Sequence, residues 1–159
     1  MKKIQLANNK GVALVDDEDY DMLMQYKWHL SVNIYAEANI KINNKWTTKR
    51  MHKFLINTPN KMEVDHIDGN GLNNQKSNLR IVTTSQNQMN RKKQNGSSIY
   101  KGVYFDNNAN KWCAQIYVNK KRIYLGLFIN EKDAAIVYNE KAKELFGEFA
   151  NLNEVKNGL

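Results

Sequence analysis

Along most of the chain apolar and polar side chains alternate with a period of two, as in strands buried on one face. Residues 3–6 and 11–15 read as a strand pair turned at Asn8-Asn9. Residues 35–42 alternate, break at Asn43-Asn44 and resume over 46–50 as a hairpin, and 63–67 with 79–82 make a third short pair around a loop that opens Asp68-Gly69-Asn70-Gly71. Residues 98–105, 111–118 and 122–128 read as a meander with turns at 106–110 and 119–121. The period changes in a few places. Residues 16–26 read as a short helix whose acidic start suits a helix N-terminus, and 51–56 fits either a short helix or a strand. Thr83-Thr84-Ser85 supplies N-cap chemistry for a helix over about 86–92. Over 131–146, Ala134, Val137, Tyr138, Ala142, Leu145 and Phe146 recur at three- and four-residue spacing, with Asn130 and Asp133 as an N-capping pattern and Gly147 where a C-terminal cap belongs. The pattern predicts an α+β chain. A β-rich N-terminal segment leads into a strand–loop–strand–helix unit at about 62–93, followed by a three-stranded antiparallel sheet packed on one helix.

The polar run of residues 92–98, with Gly and Ser at its end, reads as a linker and divides the chain into 1–94 and 95–159. Charge sharpens this division. The 159 residues carry 24 Lys and Arg against 16 Asp and Glu, a formal charge of +8, which calls for a polyanionic partner such as nucleic acid or an anionic surface. Residues 95–130 hold 5 basic side chains against 1 acidic, whereas 131–159 hold 4 against 6, so the meander is the half expected to face nucleic acid. No run of apolar residues is long enough to span a membrane, and Met1-Lys2-Lys3 leads into a polar alternating segment without a signal core, so membrane and secreted classes are excluded and a cytoplasmic protein is expected. The single cysteine, Cys113, allows neither an internal disulfide nor a CxxC zinc knuckle, so no structural zinc is expected.

The residues with chemistry lie in the block 64–91. Asp65 and His66 stand together at a strand end, and Asn87 follows on the first turn of the next helix, so the hairpin can bring them to one point. A carboxylate and an amide carbonyl are the oxygen ligands that a single hard cation prefers, with water and substrate phosphate completing its shell. The imidazole of His66 titrates near neutrality and can take a proton from water, which together describes phosphodiester hydrolysis. A lone His beside an Asp is more often a structural pair. Here Asp65-His66, Asp68-Gly69-Asn70, Ser77-Asn78-Leu79-Arg80 and Ser85-Gln86-Asn87 follow in one order and register, which favours the nuclease. Asp68, Asn70, Asn73 and Asn74 read as turn formers. His29 and His52 lie outside the block and read as packing or surface residues, with His52 on a basic segment that could contact phosphate.

This block resembles the HNH endonucleases of the ββα-metal fold, in the zinc-free form found among phage homing endonucleases. The resemblance implies that His66 is the general base, that Asp65 and Asn87 hold one divalent metal ion, magnesium or alternatively manganese, and that Asn78 fixes the loop through hydrogen bonds to its backbone. The third motif position often holds His in that family and is Asn87 here. Residues 1–60, through Ala13-Leu14-Val15-Asp16-Asp17 and Tyr26-Lys27-Trp28, look like the segment preceding the motif in phage enzymes of this build. Lys41, Lys45, Lys49, Arg50 and Lys53 make its hairpin basic, fit to clamp duplex backbone or simply to be solvated.

Residues 99–152 resemble the plant APETALA/ethylene-response-factor DNA-binding domain through Tyr100-Lys101-Gly102-Val103-Tyr104, Lys111-Trp112-Cys113-Ala114-Gln115-Ile116, Tyr124-Leu125-Gly126-Leu127-Phe128 and Asp133-Ala134-Ala135-Ile136-Val137-Tyr138. In that family a three-stranded sheet backed by one helix lays its outer face in the major groove. The expected DNA contacts are Lys101, Tyr104, Lys111, Gln115, Tyr117, Lys121, Arg122 and Tyr124 on the sheet, with Arg91, Lys92 and Lys93 gripping phosphates at the end of the catalytic helix. Trp112, Ile116, Leu125 and Phe128 are the expected core. The whole reads as a metal-dependent DNA endonuclease of homing type acting on double-stranded DNA, encoded by a phage or mobile element and working in the cytoplasm of a bacterial host, with the oligomeric state open and a monomer favoured. The alternative is a DNA-binding regulatory protein whose HNH site is inactive.

Overall fold

The structure, a computed structural model, describes residues 1–32, 34–91, 93 and 96–155. It is α+β, strand-rich, and divides into two compact units, Met1–Asn87 and Gln88–Leu159.

In the first unit, β1 (Lys2–Gln5) and β2 (Val12–Val15) pair antiparallel around a 3-10 turn at Ala7–Asn9. Helix α1 (Tyr20–Leu23) is much shorter than the acidic run suggested. The carboxylates of that run are engaged elsewhere. Asp16 accepts the backbone N–H of Lys76 at 2.8 Å, and Glu18 and Asp19 hold its ammonium at 2.6 and 3.0 Å. Strands β3 (His29–Leu30), β4 (Ala36–Ile42) and β5 (Lys45–Arg50) form a sheet, and the ambiguous segment after them is a helix, α2 (Met51–Leu55). Their apolar sides enclose a core built around Trp28, whose Nε1 donates to the Leu23 carbonyl at 2.8 Å and whose ring meets Tyr26 and Phe54 edge-on. Strands β6 (Met62–His66) and β7 (Leu79–Thr83) follow, then α3 (Thr84–Met89). Thr83 and Gln86 cap α3 reciprocally: the Gln86 N–H donates to Thr83 Oγ1 at 3.2 Å and the Thr83 N–H to Gln86 Oε1 at 2.9 Å. The helix therefore starts earlier than expected and ends at Met89. Arg91 and Lys93 lie exposed beyond its end rather than on it, and Lys92 lies outside the described residues.

The second unit is a sheet ordered β10-β9-β8, from β8 (Val103–Asp106), β9 (Lys111–Val118) and β10 (Lys121–Phe128), packed on α4 (Glu131–Phe146). Ala134, Ala135, Tyr138, Ala142 and Phe146 of the helix bury against Val103, Ala114 and Ile116, with Trp112, Leu125 and Phe128 partly buried alongside. Gly102 has φ +75°, and a Cβ there would lie 2.1 Å from the Tyr138 ring, so only glycine lets the sheet close on the helix. Gly147 ends α4 at φ +52°, as a C-terminal cap. Asn130 does not cap through its side chain; its amide donates to Asp133 instead, at 3.0 Å. No helix among the described residues is long and apolar enough to cross a membrane.

Candidate active site

The site is built on the β6–β7 pair, whose register sets Asp65 opposite Arg80 and His66 opposite Leu79. Paired residues of an antiparallel ladder share a face, and successive residues of a strand alternate between faces. One face of β6 therefore carries Glu63 and Asp65, and the other Val64 and His66. On the first, Arg80 donates through Nε at 3.0 Å and through a terminal nitrogen at 2.9 Å to Asp65 Oδ2, within a largely buried pair.

The loop between the strands is knitted by its own short polar side chains. Asp68 Oδ1 accepts the Asn70 N–H at 2.8 Å, Asn70 Oδ1 accepts the Leu72 N–H at 3.1 Å, and Asn73 donates to Asp68 Oδ2 at 2.9 Å. Asn78 sits at the centre. Its Oδ1 accepts the Asp68 N–H at 3.1 Å, while its Nδ2 donates to Asp68 Oδ1 at 3.0 Å and to the Asn73 carbonyl at 2.9 Å. Burial pushes the Asp68 carboxyl up, but the donors from Asn73, Asn70 and Asn78 leave it below the usual carboxylate range. The far side of the loop is stitched to the edge of β2: the Leu14 N–H donates to the Leu72 carbonyl and the Asn74 N–H to the Leu14 carbonyl, both at 2.8 Å. Asn74, read from the sequence as a turn former, is thus fully buried.

His66 is only 5% exposed and lies among rings from elsewhere in the unit. The Tyr35 ring stacks on it at 5.8 Å and 27°, and His52 of α2 meets it edge-on at 4.9 Å and 89°. Burial holds His66 below its ordinary imidazole value against the pull of the Asn74 side chain and the Asp68 and Asp65 carboxylates, so the ring is neutral and able to accept a proton at pH 7. His52, read from sequence as packing or phosphate contact, is instead a neighbour of the candidate base. It is pushed down to about 3 by burial, with His66, Arg50 and Lys53 adding to the effect.

Asn87 arrives on the Asp65 side. Its Nδ2 donates to Glu63 Oε2, and Thr84 Oγ1 donates to Glu63 Oε1 at 2.9 Å. A carboxylate can only accept, so Glu63 selects the nitrogen end of the amide and turns Asn87 Oδ1 away from itself. A carboxylate on Asp65 and an amide oxygen on Asn87, on the same side of one strand, form a donor set that fits a hard divalent cation. Among the described residues no three His, Cys, Asp or Glu side chains gather at metal-holding distance. Glu63 was missed in the sequence, and Arg80 was read there only as part of Ser77-Asn78-Leu79-Arg80, without a role. Two-residue spacing from Asp65 marks the first, and the hairpin register marks the second. For Tyr35 and His52 no local signal existed.

In the second unit, the sheet face turned away from α4 carries Tyr104, Lys111, Gln115, Tyr117, Arg122 and Tyr124, with Tyr117 opposite Arg122 and Gln115 opposite Tyr124. Tyr117 and Tyr124 are 58% and 56% exposed. Two expected members are absent from it. Lys121 stands opposite Val118, in the row that faces α4. Lys101 precedes β8, is half-buried, and donates through Nζ to the Met89 carbonyl at 2.7 Å; burial pushes it down to about 8.

A family model described as HNH endonuclease matches residues 57–89, the stretch that holds β6, the loop, β7 and α3. The chain is also 33% identical over 157 residues, 94% of its own length and 79% of the relative's, to an uncharacterized HNH endonuclease, L560, of Acanthamoeba polyphaga mimivirus. With likeness on that scale around a strand–loop–strand–helix site, the chain belongs to the HNH endonuclease family. No solved structure matches it significantly.

Proposed function

We propose that this protein is a metal-dependent DNA endonuclease of homing type in which His66 is the general base and Asp65 and Asn87 hold one divalent ion, magnesium or manganese. His66, neutral and buried, takes a proton from the water that attacks phosphorus, and the 3′ oxygen leaves. Asn78 keeps the loop, and with it the strand end, in one shape through its three hydrogen bonds. Glu63 orients the Asn87 amide. A bound cation supplies charge stabilisation at the phosphorane and the leaving oxygen. The observation that carries this reading is that Glu63 ties Asn87 to the Asp65 face of β6, while His66 ends the same strand. The exposed sheet face of the second unit supplies duplex affinity, Arg122 and Lys111 meeting phosphates and Tyr117 and Tyr124 packing on sugars or thymine methyls, as in the APETALA/ethylene-response-factor domain it resembles. A homing role suits a gene carried by a mobile element, and the mimivirus relative is viral.

A plasmid-nicking assay tests this. Wild-type protein with Mg²⁺ nicks or linearises supercoiled DNA and EDTA stops it, whereas His66→Ala binds DNA within a few-fold of wild type without cutting. Cleavage by His66→Ala, or cleavage indifferent to EDTA, overturns the assignment.

A further inference from the structure

Three rings meet at His66, and two of them belong to no motif. Tyr35 comes from the β3–β4 connection and His52 from α2; besides touching His66, they touch each other at 5.1 Å and 68°. We propose that Tyr35 and His52 are positioning residues for His66, holding its imidazole in the one plane from which a ring nitrogen can reach the attacking water. This rests on His66 being the base proposed above.

The torsion that turns an imidazole about its own axis is broad, so the ring takes its orientation from what packs against it. The fold accepts costs at this spot that packing alone does not call for. Ile34, just before Tyr35, is held at φ +61°, a left-handed conformation that β-branched residues avoid. The turn is locked by the Tyr35 N–H donating to Ser31 Oγ at 3.2 Å and the Ser31 N–H donating to the Tyr35 carbonyl at 2.8 Å. Gly71 of the site loop receives it, because a Cβ there would lie 2.6 Å from the Ile34 carbonyl oxygen and 2.7 Å from Tyr35 Cδ1. His52, 3% exposed, has no hydrogen-bond partner for Nδ1 among the described residues, where a merely structural histidine would have its nitrogens satisfied. Strain and an unpaired polar atom thus flank the same ring. His52 is uncharged, so it does not oppose the positive charge that His66 gains with the proton.

Single-turnover cleavage and DNA affinity, measured on the full chain, test the assignment. Tyr35 is half-buried, and each variant is first shown by far-UV circular dichroism and melting to be folded, so that a fall in rate is not a loss of fold. Tyr35→Leu lowers the cleavage rate at saturating DNA by about tenfold to 100-fold with Kd within about threefold, as expected of a misaligned reacting group. Tyr35→Phe, which keeps the ring, cuts within about threefold of wild type. His52→Phe retains more activity than His52→Ala. Tyr35→Leu added to His66→Ala slows nothing further, since Tyr35 acts through His66. The proposal is overturned if Tyr35→Leu cuts at the wild-type rate, if Tyr35→Phe is as slow as Tyr35→Leu, or if the rate and affinity fall together. Should His66→Ala itself cut normally, the base assignment fails first and takes this one with it.

Discussion

Arg80 grips Asp65 across the β6–β7 pair through two nitrogens on one carboxylate oxygen, with both side chains largely buried. The candidate metal ligand is thus held by a cation of the chain itself. Removing one partner of such a pair leaves an uncompensated charge and costs about 3–5 kcal/mol. Arg80→Ala is accordingly expected to melt well below wild type without metal. Mg²⁺ should then raise its Tm by more than it raises the wild-type Tm, because the ion replaces the lost partner of Asp65. Equal Mg²⁺ shifts in the two proteins, followed by scanning calorimetry, would show that Asp65 is no ligand.

Glu63 fixes which end of the Asn87 amide faces it, and on the function proposed above the other end meets the cation. Glu63→Ala should weaken Mn²⁺ binding about tenfold, in the range typical of lost ligand-orienting partners. Glu63→Gln, whose carbonyl still accepts from Asn87 Nδ2, should lose less. Manganese EPR titration of the three proteins reads this without any DNA. Equal losses for Ala and Gln would mean that Glu63 acts by charge and not by orientation.

His52 makes the fold acid-sensitive. Unfolded, it titrates near 6.5; folded, near 3. Between those values the unfolded chain holds a proton that the folded chain does not, so stability is complete above about pH 6.5 and falls as pH drops towards 3, by up to about 1.4 kcal/mol per pH unit. Chemical denaturation at pH 8, 6 and 4.5 checks the sign. His52→Phe should show a shallower loss, since the two proteins share every carboxylate. Parallel curves would place the acid sensitivity in those carboxylates instead.

Basic residues of the second unit divide by where their charge is used. Arg122→Ala should lower DNA affinity and reduce the slope of log affinity against log salt by about 0.9 for each phosphate that the side chain no longer neutralises. Lys101→Met should leave that slope unchanged, because its ammonium is engaged by the Met89 carbonyl. Fluorescence anisotropy at several salt concentrations separates them; a Lys101→Met slope reduced like that of Arg122→Ala would return Lys101 to the DNA face.

What could be read from the sequence was whatever is local. Helix α4 was bounded correctly at both ends because its apolar recurrence is long and Gly147 stops it, and the loop turns followed from Asp and Asn chemistry at Asp68, Asn70 and Asn73. Helix α1 was overestimated because Asp16, Glu18 and Asp19 look like helix-starting charges yet serve Lys76, some sixty residues on. Asn74 looked like another turn residue, and only its hydrogen bond to the edge of β2 takes it inside. Lys101 was assigned to the DNA face by alternation, which fails just before a strand, and Lys121 was added to that face although the hairpin register sets it opposite Val118. Nothing in the pattern around Tyr35 and His52 points to the site. Their meeting with His66 depends on three elements closing together, a tertiary fact with no period to betray it.

Alternation along β6 has an outcome for how such an enzyme can change. Glu63 and Asp65 look one way, towards Arg80, Thr84 and Asn87; His66 looks the other way, towards Tyr35 and His52. An ionic compartment and an aromatic one share a single strand as their party wall. Because the Asp65 carboxylate also pulls on the His66 imidazole, a substitution that retunes the ionic side changes the surroundings of His66 as well, so the two sides of the strand change together.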